Sequence, residues 1–109
     1  MISLEEIALE RGLDVADVVE FINDFIEYSE QEDLKLLNEA VNGGDAAAAK
    51  LRAHSMKGAA LNLGLTELAS AAETIEKKAS EGSVEGCQAL VSELIRMVDG
   101  LKDFVKQEH

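Results

Sequence analysis

Apolar residues recur along the chain at intervals of three and four, which is the spacing of helices that bury one face. This pattern predicts five helical segments, because it is interrupted only where glycines occur. The breaks fall at Gly12, at the pair Gly43 and Gly44, at Gly64 and at Gly82. Glycine tolerates the left-handed backbone conformation in which helices commonly end, so each break marks a helix stop.

Capping residues stand near the predicted start of each helix. Ser3 and Glu6 have the spacing of a capping box for a short first helix. The second segment, about residues 15 to 41, keeps its apolar stripe although residues 28 to 33 are polar. The last segment is expected to run from Val84 onwards. The other expected N-caps are Asp14, Asp45, Thr66 and Ser83.

The arrangement of these segments predicts the fold class. The chain has no proline and only 4% aromatic residues, which disfavours a β-sandwich or barrel. Four long helices with short connections predict an all-α fold, an antiparallel up-and-down four-helix bundle. Residues 3 to 11 form a short extra N-terminal helix across one end. We expect residues 1–109 to be a single domain.

The third helix places a histidine on its outer face. Its small and apolar residues at 46, 49, 53, 56, 60 and 63 occupy one sector of the helical wheel, which is the expected core face. His54 lies about 140° from the middle of that sector and should face solvent. The residues expected within roughly 60° of His54 include Lys50, Leu51, Lys57, Gly58 and Leu61.

The surface around His54 differs from the rest of the protein in charge and in apolar exposure. With 22 acidic and 10 basic residues the chain carries a net charge of −12, yet no acidic residue occurs between Asp45 and Glu67. That stretch is +3, so the remainder is −15. Gly58 is about 1 kcal/mol worse than alanine inside a helix, which suggests that space is needed beside His54. Leu51 and Leu61 are large apolar residues on the face of the helix that is expected to meet solvent, and such residues are typical of a docking surface.

This surface suits a limited chemistry. An exposed imidazole is largely neutral near physiological pH, so one ring nitrogen can attack a phosphoryl group without a dedicated base. Phosphoryl transfer needs mainly positioning and charge neutralisation, which the ammonium of Lys57 can supply, and Gly58 leaves room for the phosphoryl oxygens. The sequence has no nucleotide-binding motif and no metal cluster. We therefore expect a surface that holds a phosphoryl group but does not generate one from ATP.

The run from Ala53 to Gly64, AHSMKGAALNLG, resembles the signature of histidine-containing phosphotransfer (HPt) domains, in which HxxKG is followed six residues later by a second glycine. The resemblance covers the whole chain. It implies a four-helix bundle in which His54 is phosphorylated, Lys57 stabilises the phosphoryl group, Gly58 provides steric clearance and Gly64 is structural. The family often has alanine after the second glycine, where this chain has Leu65.

The resemblance also implies partners. His54 would accept a phosphoryl group from the aspartate of a receiver domain, in a hybrid sensor kinase or a response regulator, and pass it to another receiver in a two-component phosphorelay. Lys50, Leu51, Gly58 and Leu61 would contribute to receiver docking. No cofactor is expected, and Mg²⁺ would belong to the receiver. Such a protein is a phosphocarrier, not an enzyme. A polar side chain on the next helix often approaches the histidine in this family; Glu76 is a weak candidate that would orient the ring but repel the phosphoryl group.

The composition limits the cellular location and the kinds of partner that we expect. A single cysteine, Cys87, excludes an internal disulfide, and the N-terminal residues lack the positive region of a signal peptide, so we expect a cytoplasmic protein. We also expect it to be a monomer. The net charge argues against nucleic acid or an anionic membrane as partner. The main alternative is a docking module that binds a receiver or a partner helix through the His54 face without phosphotransfer. More distant alternatives are a metal-binding bundle and a structural oligomerisation bundle.

Overall fold

The structure, a computed structural model, describes residues 3–108. These residues form helices joined by short turns, in the order α1 (Leu4–Arg11), α2 (Val15–Tyr28), a π-helical turn (Ser29–Asp33), α3 (Leu34–Asn42), α4 (Ala46–Asn62), α5 (Thr66–Ser80) and α6 (Cys87–Glu108). No strand occurs in this part of the chain. The predicted all-α four-helix bundle with a short extra N-terminal helix is confirmed.

The expected caps Ser3, Asp14 and Asp45 hold the cap positions of their helices, whereas Thr66 and Ser83 do not. The Ser3 hydroxyl accepts from the Glu6 amide at 3.1 Å, and the Asp45 carboxylate accepts from the Ala48 amide at 3.1 Å. Thr66 was expected to cap α5, but it is the first helical residue and buried Leu65 holds the cap position. Asp14 holds the cap position of α2 without a side-chain hydrogen bond.

The last helix begins later than predicted. Ser83 was expected to cap it, but α6 starts at Cys87. The intervening chain is a turn in which the Ser83 hydroxyl accepts from the Glu85 amide at 3.1 Å. Gly86 has a φ of +79°, a left-handed conformation that a helix does not continue through, so α6 forms only after it.

The long second segment is one continuous helix that is widened in the middle. The π-helical turn from Ser29 to Asp33 joins α2 to α3 without a break. Apolar side chains of α2, such as Ile22 and Phe25, and of α3, such as Leu37, are buried on its inner side. The turn also buries Ser29 and Asp33. This long helix therefore contributes apolar side chains to the core of the bundle and places one carboxylate, that of Asp33, inside it.

The packing of the helices exposes one face of α4. α4 packs against α3 on one side and α5 on the other, while α6 packs against α2, α3 and α5. α4 and α6 therefore stand diagonally across the bundle. The inner face of α4 is fully buried at Ala49, Ala53, Met56 and Ala60, as its spacing predicts. The small alanines allow its neighbours to approach closely, and the opposite face, with His54, points to solvent.

The N-terminal helix, α1, is joined to the C-terminal end of α4 by hydrogen bonds from Arg11. Arg11 Nε donates to the Asn62 carbonyl at 2.6 Å and Nη2 donates to the Leu61 carbonyl at 3.1 Å. Carbonyls in the last turn of a helix lack the amide partner that the next turn would supply. The guanidinium donates to both of them, and the Leu61 carbonyl also accepts from the Gly64 amide at 3.1 Å. Gly64 has a φ of +72°, and a Cβ there would lie 3.3 Å from the guanidinium. Glycine therefore suits position 64 because it adopts this backbone conformation without strain and leaves room for the guanidinium.

No helix in the part of the chain that the structure describes combines the length and apolar character needed to cross a membrane.

Candidate functional site

His54 is exposed on α4 and is held at one ring nitrogen by α5. Its side chain is 67% exposed, and Nδ1 lies 2.6 Å from Glu76 Oε2. The Glu76 side chain is only 14% exposed, because it lies between the two helices. Within the described residues the other ring nitrogen, Nε2, makes no hydrogen bond. One nitrogen is therefore fixed by the protein and the other faces solvent.

Lys57 contacts the same carboxylate from the other side. Its Nζ lies 2.6 Å from Glu76 Oε1, so the ammonium and the imidazole occupy the two oxygens of one carboxylate. The hydrogen bond to Lys57 holds the pKa of Glu76 below its usual range despite partial burial, and the hydrogen bond to His54 acts in the same direction. The same contact with Glu76 raises the pKa of Lys57. Both groups are therefore charged at neutral pH.

The ionised Glu76 determines which nitrogen of His54 carries the proton. A carboxylate only accepts hydrogen bonds, so Nδ1 must donate to it. In the neutral ring the lone pair is then on Nε2, the solvent-facing nitrogen. This arrangement places a nucleophilic nitrogen at the surface and keeps a negative charge behind the ring.

The sequence analysis placed Glu76 outside the assigned site, and the structure brings it into the centre. The signal that locates it is the symmetry of an antiparallel helix pair. His54 and Glu76 each lie eleven residues from Leu65 in the turn, since 65 − 54 and 76 − 65 are both 11. Residues at equal distance from the turn meet at the same level of the two helices.

Leu51 and Leu61 flank His54 on the exposed face of α4, with exposed fractions of 63% and 50%. Lys50 and Gly58 are exposed on the same helix. These residues lie four before and four after His54, positions that are neighbours on a helix surface. The residues that the sequence assigned to docking are therefore all solvent-accessible around the histidine.

Gly58 leaves open space next to His54, since a Cβ built there would meet nothing within 4 Å. We predict that Gly58→Ala raises the free energy of unfolding by about 0.5 to 1 kcal/mol, because alanine is the better helix former. The same methyl group should slow phosphoryl transfer from a receiver by narrowing the approach to His54. Urea unfolding and a transfer assay on the same preparation measure the two effects.

Gly100 offers a matched control for that substitution. It also lies inside a helix, α6, and a Cβ there meets nothing within 4 Å. Gly100→Ala should give a similar gain in stability without slowing transfer, because α6 is across the bundle from His54. Equal transfer rates for the two variants would show that clearance at Gly58 is unimportant.

A second polar cluster lies behind the histidine. Asp33, in the π-helical turn, has a side chain that is 2% exposed. It accepts from Ser55 Oγ at 2.8 Å and pairs with Arg52 Nη1 at 3.3 Å. The buried carboxylate thus joins the long helix to α4 on either side of His54, and the positive charge of Arg52 is compensated there.

The described residues offer little for a metal ion. Both oxygens of Glu76 are engaged by His54 and Lys57, and in residues 3–107 no group of three or more His, Cys, Asp or Glu side chains is arranged to hold a metal ion.

A shallow groove beside the Lys57–Glu76 pair runs along α5 past Glu73, Lys77, Ser80 and Glu81. The chemistry that the site offers is that of an oriented, exposed imidazole next to a lysine.

Comparison with known proteins agrees with this geometry. The sequence model of the Hpt domain matches residues 20–104. The crystal structure of histidine-containing phosphotransfer protein B (HptB) from Pseudomonas aeruginosa PAO1 is similar to this chain, with 32% sequence identity and a TM-score of 0.75. The match covers 83% of this chain and 77% of HptB. A search of curated proteins gave no match.

Proposed function

Because the chain belongs to the Hpt domain family and so has a histidine phosphotransfer role in two-component signalling, we propose that His54 is its phosphoryl carrier, accepting from the aspartate of one receiver domain and donating to another. The observation that carries this proposal is the hydrogen bond from His54 Nδ1 to Glu76, which leaves Nε2 free at an exposed surface.

The transfer step follows from that arrangement. The Nε2 lone pair attacks the phosphorus of a receiver aspartyl phosphate, an N–P bond forms, and the P–O bond to the aspartate breaks and releases its carboxylate. The ring becomes positively charged as the bond forms, and Glu76, behind Nδ1, stabilises that charge. Onward transfer reverses these changes, because an aspartate oxygen of the second receiver attacks the phosphorus and the neutral imidazole is restored.

Lys57 keeps the carboxylate from opposing the reaction. Taken alone, Glu76 would repel an incoming phosphoryl group. Since Lys57 compensates its charge at 2.6 Å, the pair presents no net negative charge to the phosphoryl oxygens. The ammonium lies beside the ring and is available to the phosphoryl group as it arrives, which is the stabilising role assigned to Lys57.

The partners are receiver domains, with which proteins of this family interact in phosphorelays. Docking would use Lys50, Leu51, Gly58 and Leu61 around His54. Mg²⁺ would be bound by the receiver, and the protein would act as a monomer that is itself the phosphorylated intermediate, with no kinase activity of its own. These assignments extend the family role to particular residues of this chain.

The test is transfer from a panel of receiver domains that have been phosphorylated by a small-molecule donor with Mg²⁺. The expected result is one added phosphoryl group by intact mass, lost on acid treatment as a phosphohistidine is, and located on His54 by peptide mapping. Receivers that bind the protein without transferring a phosphoryl group would instead support the docking module.

Glu76 provides a second test of the carrier step. We predict that Glu76→Ala lowers the transfer rate by about tenfold to a hundredfold, by analogy with the loss seen when the carboxylate that orients a metal-binding histidine is removed. The alanine leaves Nδ1 without its acceptor, so the ring samples both tautomers. Stopped-flow or quench-flow transfer measures the rate, and imidazole nitrogen NMR measures the tautomer.

Glu76→Gln is the matched control, because its amide oxygen still accepts from Nδ1 but cannot compensate the charged ring. Its rate should fall between those of the wild type and the alanine variant, with Nδ1 still protonated. A tautomer that is unchanged in Glu76→Ala would contradict the orienting role.

A further inference from the structure

The basic residues of α4 differ in whether an acidic side chain compensates them. The sequence places three cations, Lys50, Arg52 and Lys57, in a stretch without acidic residues. In the structure Arg52 pairs with Asp33 and Lys57 pairs with Glu76, each through a carboxylate from a neighbouring element. Lys50 makes no ion pair with any residue that the structure describes. The +3 of the sequence is therefore reduced to +1.

The position of Lys50 links this charge to the site. It is exposed and lies four residues before His54, so its side chain is a neighbour of the imidazole on the same face of the helix. Leu51 beside it is also exposed. An uncompensated cation next to apolar surface suits a contact in which an acidic group of the partner meets it while the leucine is covered.

The charge of the partner makes such a contact useful. A receiver pocket that binds Mg²⁺ and an aspartyl phosphate must be rich in carboxylates, because Mg²⁺ takes oxygen ligands. This protein has a net charge of −12, which repels an acidic surface at long range. Arg52 and Lys57 offset little of that long-range repulsion, since a carboxylate of this protein already compensates the charge of each.

Resting on the proposed function, we propose that Lys50 is the electrostatic docking residue of the His54 face and pairs with an acidic side chain beside the phosphorylation pocket of the receiver domain. Lys50 acts on the encounter and on the stability of the docked complex. It does not touch the reacting atoms, so it affects the KM of transfer and not kcat.

The test reverses the charge at Lys50 and at a matched lysine. Lys50→Glu should lower kcat/KM for transfer by about tenfold at low salt, through KM, and by less than about twofold near 0.5 M salt, because salt screens exposed charges. Lys106→Glu makes the same change in net charge on α6, where Lys106 is exposed and without an ion pair in the described residues. It should change kcat/KM by less than about twofold at either salt concentration.

A parallel titration with unphosphorylated receiver separates this proposal from the carrier assignment. Weaker, salt-dependent binding of Lys50→Glu supports the docking role even where no phosphoryl group reaches His54, an outcome that would overturn only the carrier assignment. Equal effects of the two variants, a loss confined to kcat, a loss independent of salt, or no binding to any receiver would overturn the role of Lys50.

Discussion

His54→Gln is expected to abolish acid-labile phosphorylation while leaving the fold intact. Glutamine has no ring nitrogen with a free lone pair, so no N–P bond can form at this position. The side chain is 67% exposed and its removal opens no cavity in the core, so the free energy of unfolding should change by less than about 0.5 kcal/mol. Intact mass after incubation with a phosphorylated receiver measures the first effect, and urea unfolding measures the second.

Receiver binding by the same variant separates the two functions weighed for this surface. If the protein is a carrier, His54→Gln should still bind a receiver, because Leu51, Leu61 and Lys50 are unchanged, and transfer alone should be lost. A phosphoryl group that persists on the variant would mean that another residue is the carrier. If the wild-type protein binds receivers and is never phosphorylated, the docking module is the function that remains.

The helices and the outward face of α4 could be predicted because each depends on one element. The three-and-four spacing of Ala49, Ala53, Met56 and Ala60 identifies the inner face, and a fixed rotation of about 100° per residue then assigns His54 to the other side. The helix starts at Thr66 and Ser83 were wrong because local geometry decided them. At α5 the apolar Leu65 is buried at the cap position, and at α6 a left-handed glycine delays the helix.

The polar contacts of His54 and Ser55 could not be predicted from α4 alone, because the partner of each comes from another element. Glu76 reaches His54 from α5, and Asp33 reaches Ser55 from the π-helical turn. The two pairs nevertheless obey one rule. Asp33 and Ser55 are each eleven residues from Gly44, since 44 − 33 and 55 − 44 are both 11. A search for polar residues at nearly equal distances from each predicted turn would have found both.

The charge that the α4 sequence carries therefore differs from the net charge on the surface around His54. The α4 sequence contains three cations, and carboxylates from neighbouring elements compensate two of them in the fold. The polar composition of residues 28 to 33 gave no sign that Asp33 is buried. The buried carboxylate of Asp33 and the partly buried carboxylate of Glu76 thus leave the surface around the histidine nearly neutral, although its sequence is positively charged.

Arg52→Met should be the most destabilising of these substitutions, lowering the free energy of unfolding by about 3 kcal/mol. Methionine retains the apolar stem but removes the cation, so Asp33 is left with a 2% exposed carboxylate held only by the Ser55 hydroxyl. An unpaired charge inside a bundle is costly to desolvate. Urea unfolding followed by circular dichroism measures the loss.

The matched control is Arg96→Met, in which the arginine pairs with Glu93 at the surface and its side chain is 74% exposed. Exposed pairs contribute little, so this loss should stay below about 0.5 kcal/mol. The double variant Asp33→Leu with Arg52→Met removes both charges and should recover much of the stability lost in Arg52→Met, because a buried pair replaced by apolar groups leaves no charge without a partner. If the double variant were no more stable than Arg52→Met, the unpaired carboxylate of Asp33 would not be the source of the lost stability.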